Sequence, residues 1–137
     1  MEARGIHHVG MAVADLDDAL ATYERLFSAE LQHRETVPAQ GVEAAAVRLG
    51  TSTVELLASL GDETPVGKFL AKRGPGMHHV AYQVADIEAA LASLRESGVR
   101  LIDEQPRTGI RDSRVAFLHP KSSGGVLTEI VQPAKGH

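Results

Sequence analysis

One segment of this chain is written twice. His7-His8-Val9-Gly10-Met11-Ala12-Val13-Ala14-Asp15 returns 71 positions later as His78-His79-Val80-Ala81-Tyr82-Gln83-Val84-Ala85-Asp86. Aligned without gaps over His7–Ala21 and His78–Ala92, nine of fifteen positions are identical. A matched apolar pattern can arise by chance. A shared His-His-Val, then Val-Ala-Asp, then Ala-Leu-Ala is much harder to obtain that way. The duplication of one supersecondary unit is therefore the strongest constraint on the fold. At 137 residues the chain is too short for a solenoid, so the two copies are expected to make one pseudo-symmetric domain over residues 1–137. Module one is read from about residue 5 to 59, a linker from 60 to 76, and module two from about 77 to 133.

Each copy opens with the pattern of a strand leading into a helix. Val9, Met11 and Val13 alternate onto one face of residues 6–14, with His8, Gly10, Ala12 and Ala14 on the other. Asp15 is placed to cap a helix, and Asp17 and Asp18 suit its positive first turn. Leu16, Leu20, Tyr23 and Phe27 form the helical stripe, to about residue 28. Strands are predicted at 30–37, at roughly 42–49 and at Thr53–Ala58, separated by Pro38, Gly41 and Gly50-Thr51-Ser52. Pro65 suits a helix start, predicting a short helix over Val66–Lys72 before Gly74-Pro75-Gly76. Module two repeats the pattern with a strand at 77–85 and a helix from about 87 to 97, closed by Gly98. Further strands are predicted near 100–104, 113–119 and 125–131. The order is βαβββ, linker, βαβββ, which defines an α+β fold of largely antiparallel sheets with the helices outside.

Composition narrows the chemistry. A net charge of −4 without a basic cluster argues against nucleic acid as the main partner. No apolar run approaches the roughly 18 residues of a membrane span, and the opening residues MEARGIHH lack the apolar core of a signal peptide. The chain has no cysteine, which removes disulfides and thiolate metal sites and fits a cytoplasmic protein. Seven histidines and eighteen acidic residues leave imidazole and carboxylate as the reactive groups.

The duplication places these groups in pairs. The first strand of each module carries a histidine, His8 and His79, and the last carries a glutamate, Glu55 and Glu129. The glutamates sit in apolar runs, Val-Glu-Leu-Leu and Leu-Thr-Glu-Ile-Val. Burying an unanswered carboxylate costs several kcal/mol, so each requires a cation or a hydrogen-bond partner. If the modules pair around a pseudo-two-fold axis into one paired sheet, His8, Glu55, His79 and Glu129 converge as nitrogen and oxygen ligands for a divalent ion. Such a sulfur-free set suits Co2+, Ni2+, Mn2+, Fe2+ or Zn2+. His7 and His78 lie on the opposite strand face and are read as structural, or as groups supporting the ligands from behind. His33 and His137 carry no signal.

Paired βαβββ modules with His, Glu, His and Glu in this order resemble the vicinal oxygen chelate superfamily, which includes glyoxalase I and the extradiol dioxygenases. Within it the chain resembles the methylmalonyl-CoA epimerases, through HHVGMAVADLDDALATY, VELL, TPVGKFLAKRGPGMHHVAYQV and FLHPKSSGGVLTEIV, which together span nearly the whole chain. The resemblance implies the vicinal oxygen chelate fold, a divalent metal with Co2+ first among the candidates, an acyl-CoA substrate and a homodimer. The family's metal ligands carry over onto His8, His79 and Glu129, and its fourth ligand position, often Gln, holds Glu55. Some members place a catalytic Glu on the third strand, after Gln-Gly-Val and one further residue. Here the stretch is Gln40-Gly41-Val42-Glu43-Ala44, so Glu43 stands one position early and Ala44 fills the slot. A one-residue slip turns a side chain to the other sheet face unless a bulge restores it.

The reaction implied is epimerisation of methylmalonyl-CoA at the carbon between thioester and carboxylate, by two-base proton transfer through a metal-stabilised enolate. Glu129 is read as the first base and Glu55 as the second, with Glu43 as the alternative to Glu55. Lys68, Lys72, Arg73, Arg111 and Lys121 are candidates for the coenzyme phosphates. A lactoylglutathione lyase of the glyoxalase I type would use the same four residues, and the Arg107–Pro120 loop with Phe-Leu-His-Pro-Lys favours the epimerase. A non-catalytic ligand-binding member often lacks the metal residues that this chain has. An extradiol dioxygenase needs iron and a larger chain.

Overall fold

Asp15 and Asp86 show how the duplication is translated into structure. Each residue is extended, and its carboxylate accepts a hydrogen bond from the backbone N–H three residues on, Asp18 at 2.9 Å and Ala89 at 3.1 Å. That is the N-cap geometry that starts a helix. Each therefore ends a first strand, β1 (Ile6–Val13) or β5 (Gly76–Gln83), and opens a helix, α1 (Leu16–Phe27) or α3 (Ile87–Glu96). The computed structural model describes residues 1–137 and divides into two compact units, His8–His78, and His79–His137 together with Met1–His7.

In the unit His8–His78, α1 is followed by β2 (Glu30–Val37), β3 (Val42–Leu49), β4 (Ser52–Ser59) and a second helix, α2 (Pro65–Arg73). The sheet order is β2-β3-β4-β1, antiparallel except where β4 returns to lie parallel to β1. Leu16, Ala29, Ala45, Val47 and Leu56 form the buried core between α1 and this sheet, with Met11, Val13, Leu20 and Tyr23 packed against them. Removing a large aliphatic side chain of this kind from water contributes roughly 1.5–3 kcal/mol. Ser28, at φ 52°, turns the chain out of α1.

The segment read as linker contains α2, which belongs to this unit. Thr64 caps it, its hydroxyl oxygen accepting from the Gly67 N–H at 3.0 Å while the hydroxyl donates to the Gly61 carbonyl at 2.7 Å. Gly67 is required by space. A Cβ there would stand 2.1 Å from the Gly61 carbonyl oxygen.

In the other unit, β5 and α3 are followed by β6 (Arg107–Thr108), β7 (Arg114–Leu118) and β8 (Thr128–Gln132), in the order β5-β8-β7-β6. Here β8 returns parallel to β5. The core beneath α3 is Val84, Ile87, Ala90, Leu91, Ala116, Leu118 and Ile130. Gln132 reaches back from the end of β8, and its Oε1 accepts from the Ile87 N–H at 2.9 Å. Gly98 follows α3 at φ 76°, as its place in the sequence requires.

The strand expected at 100–104 is not formed. Leu101 makes a single bridge to Leu118, and the short β6 lies further along at Arg107–Thr108. The Phe117 carbonyl accepts from the N–H groups of both Ile102 and Asp103, and the Asp103 carboxylate takes the Phe117 N–H at 2.9 Å. A side chain thus supplies the ladder bond that a strand would have made through its backbone. The last strand begins at Thr128 instead of 125, because Gly124 and Gly125 hold positive φ and Val126 faces water.

Gly67→Ala is expected to destabilise the protein by about 1–3 kcal/mol, since the added methyl meets backbone that cannot swing aside. Urea denaturation followed by circular dichroism measures it. An unchanged midpoint would show that the Gly61 turn yields.

Candidate functional site

The parallel pairing of first and last strands decides which side chains meet. In β1 and β4, Gly10 stands opposite Glu55. In β5 and β8, Ala81 stands opposite Glu129. The residue two places after the histidine faces the glutamate in both units, so each histidine shares a sheet face with its glutamate. His8 Nδ1 lies 3.1 Å from Glu55 Oε2. His79 Nε2 lies 3.7 Å from Glu129 Oε1. All four are buried, His8, His79 and Glu129 at 3% exposure and Glu55 at 9%. The expected histidines and glutamates are therefore brought together within each unit, Glu55 within hydrogen-bond range of its histidine and Glu129 at ion-pair distance from its own. Each pair is a nitrogen and oxygen donor set of the kind a divalent cation accepts, with no sulfur to draw a softer ion.

The neighbouring strand differs between the units. Opposite Glu55 on β3 stands Ala46, and opposite Glu129 on β7 stands Phe117. The Phe117 ring meets the His79 ring edge-on, centroids 5.3 Å apart at 86°. Sequence reading did not single out Phe117. Its place in Phe-Leu-His-Pro-Lys was visible, but its contact with His79 depends on register.

Glu43 is placed away from Glu55. The β3–β4 ladder runs from Val42↔Ser59 to Leu49↔Ser52 without a bulge, so nothing corrects the one-residue offset. Glu43 shares a face with Ala45 and Val47, which pack under α1, while Ala44 and Ala46 lie on the Glu55 face. There Glu43 accepts from Arg34 Nε at 3.0 Å and from Nη2 at 3.3 Å, and Arg34 Nη1 donates to Asp17 at 2.6 Å. The hydrogen bonds to Glu43 and then Asp17 hold the Arg34 guanidinium protonated above the usual arginine range. The signal for this network lay in the spacing. Arg34 and Glu43 are nine residues apart across a hairpin at Gly41, which sits at φ 69°.

His78 packs edge-on against Phe69 of α2 at 5.1 Å, and burial pushes its imidazole below the ordinary range. Arg73, a candidate for coenzyme phosphates, lies over the Phe69 ring at 5.8 Å. Lys68 and Lys72 are exposed along the same helix. Arg111 belongs to a turn in which it and Asp112 are both left-handed, at φ 53° and 57°, and Lys121 lies in the short 3-10 turn Pro120–Ser123.

Residues 7–117 match the family described as the glyoxalase/bleomycin resistance protein/dioxygenase superfamily. The chain belongs to that superfamily, and the α+β architecture of its two units is consistent with that fold. It is 39% identical over 128 residues to the mitochondrial methylmalonyl-CoA epimerase of Bos taurus, covering 93% of this chain and 73% of that one. The crystal structure of methylmalonyl-CoA epimerase from Mycobacterium tuberculosis matches at a TM-score of 0.93 and 42% identity, over 96% of this chain and 89% of that one. A methylmalonyl-CoA epimerase in complex with methylmalonyl-CoA and NH4+ matches at a TM-score of 0.94 and 39% identity, over 98% and 97% of the two chains.

Glu43→Gln is expected to lower the melting temperature by less than about 4 °C, the scale of a partly exposed ion pair. Thermal denaturation of the variant checks it, and a larger loss would show that the Arg34 network carries more of the fold than an exposed pair does.

Proposed function

We propose that this chain is a metal-dependent epimerase that interconverts (R)- and (S)-methylmalonyl-CoA, with His8, Glu55, His79 and Glu129 as the ligands of one divalent cation. The observation that carries the reading is the buried His–Glu pair repeated at the same strand register in both units. The similarity to epimerases, one of them bound to methylmalonyl-CoA, supplies the substrate. Cobalt is the ion assigned first, with nickel, manganese, iron and zinc sharing its taste for imidazole and carboxylate. We assign the protein to the cytoplasm, which the lack of cysteine fits, and, as the resemblance to the family implies, to a homodimer with one vicinal oxygen chelate domain over residues 1–137.

A bound cation would supply Lewis-acid stabilisation of the negative charge that develops on the thioester oxygen. The remaining work falls to the chain. Glu129 takes the C2 proton from one face of the substrate, and Glu55 returns a proton to the other. The balance closes: one carboxylate gains a proton, the other gives one up, and thioester and carboxylate emerge unchanged. Glu55 serves here because it is the acid beside His8, at 3.1 Å, whereas Glu43 is turned towards α1 and Glu35, opposite Ala44 on the Glu55 face, pairs with His33 at 2.7 Å. Both carboxylates are buried during the transfer, and solvent deuterium reaches them between turnovers, so each inversion replaces the C2 proton.

The deciding experiment is proton exchange by NMR in deuterated water. Rapid loss of the C2 proton of methylmalonyl-CoA, blocked by a chelator and restored by Co2+, is the expected result. A metal-loaded protein that exchanges nothing would overturn the assignment. Glu129→Gln is expected to lower exchange at least about 10²-fold, the typical contribution of a positioned acid–base group, with the fold intact. Near-normal exchange in that variant would remove Glu129 as a base. His8→Ala and His79→Ala are each expected to lose the metal. Full stoichiometric binding in either would break the four-ligand site.

A further inference from the structure

We propose that His119 is a pH-sensitive clasp on the loop that joins β7 to β8. Its neutral imidazole holds the turn Pro120–Ser123 closed, and its protonated imidazole releases it. His119 stands just before that turn in an extended conformation, at φ −65° and ψ 137°, and its side chain caps it. Nδ1 accepts from the Lys121 backbone N–H, at 3.1 Å. A backbone N–H can only donate, so Nδ1 contributes its lone pair, and the proton of the neutral ring sits on Nε2. That lone pair is the one basic site left on the ring. Cap and proton therefore compete for the same electrons. The protonated ring is a donor at both nitrogens and cannot cap.

The surroundings set the direction of that competition. The His119 N–H donates to the Arg100 carbonyl at 3.0 Å, and the Ser122 N–H donates to the His119 carbonyl at 2.8 Å. The Ser122 hydroxyl accepts from the Arg100 N–H and donates to the Arg100 carbonyl, each at 3.0 Å. The turn is thus sewn to the segment that follows α3, and Arg100 is kept beside the imidazole. The charged groups that face His119 are Arg100 and, within the turn, Lys121, both cationic. A third positive charge is disfavoured there. Desolvation at this half-buried position, and then Arg100 and Lys121, hold the imidazole below its ordinary range. The cap is therefore complete above the ordinary imidazole value of about 6.5 and is lost as pH falls through the lower folded-state value. Beyond the turn, the hydroxyls of Ser123 and Thr128 both donate to the Val126 carbonyl, at 2.7 and 2.9 Å. Neither hydroxyl titrates in this range, so opening is confined to the start of the turn and β8 keeps its register.

Hydrogen exchange of the backbone amides, read by NMR on the whole protein from about pH 7.5 to about pH 4.5, tests the clasp. Protection of the Lys121 amide, corrected for the intrinsic rate at each pH, is expected to fall about five-fold, the scale of a lost N-cap. Its midpoint should coincide with the titration of the His119 ring signals. The Val84 amide, bonded to the Val131 carbonyl at 2.9 Å beside β8, is expected to hold. His119→Asn keeps a capping oxygen and removes the titration, so its Lys121 protection is expected to stay level across the range. His119→Ala removes both and is expected to lose protection at every pH. Level Lys121 protection in the unaltered protein would overturn the proposal. So would an equal fall in His119→Asn, since another group would then be responsible. A fall shared by Val84 would overturn it too, because the loss would then be general acid unfolding.

Discussion

A carboxylate can be buried on a sheet face only if something answers its charge. In this protein the answer is an imidazole, supplied twice, and much of the architecture follows from that need. Glu55 and Glu129 lie on strands whose neighbours are apolar. Their histidines lie on strands far earlier in the chain. To bring the two together, the last strand of each unit must return beside the first and run parallel to it. Parallel neighbours cannot be joined by a tight turn, so a long crossover is required. In each unit that crossover holds a helix started by an aspartate and an antiparallel excursion through further strands. The helix closes one face of the sheet, and the polar pair is left on the other.

The two units keep the pair and vary what surrounds it. Module one places Ala44 and Ala46 on the face beside Glu55 and turns Glu43 to Arg34, which also bonds Asp17 of α1. Module two places Val115 and Phe117 on the corresponding face. Both imidazoles lie beside their own glutamates, and that of His79 also meets a phenyl ring edge-on. Duplication preserved the register of the ligands and released the strands between them.

Much of this was legible before any coordinates. The repeated His-His-Val and Val-Ala-Asp located both first strands and both helix caps, because alternation and an extended aspartate are local signals. The four buried residues of the candidate site could be named from symmetry alone, and the structure pairs them within each unit. The failures were tertiary. Leu101 and its neighbours have the composition of a strand, yet Asp103 satisfies the Phe117 N–H with a side chain, and the ladder moves on to Arg107. The Phe117–His79 contact depends on which residues face one another across strands, and no one-dimensional pattern records that.

The anchoring of α2 has a consequence for how this part of the protein breathes. Val66 and Gly67 are buried and Thr64 grips the first turn, whereas residues 71–73 are exposed and Gly74-Pro75 follow at once. The helix is fastened at one end, so its amides should trade protons with solvent in a gradient, slowest near Gly67 and Lys68 and fastest near Lys72 and Arg73. Opening would then proceed as fraying from the basic end, without disturbance of the turn at Gly61.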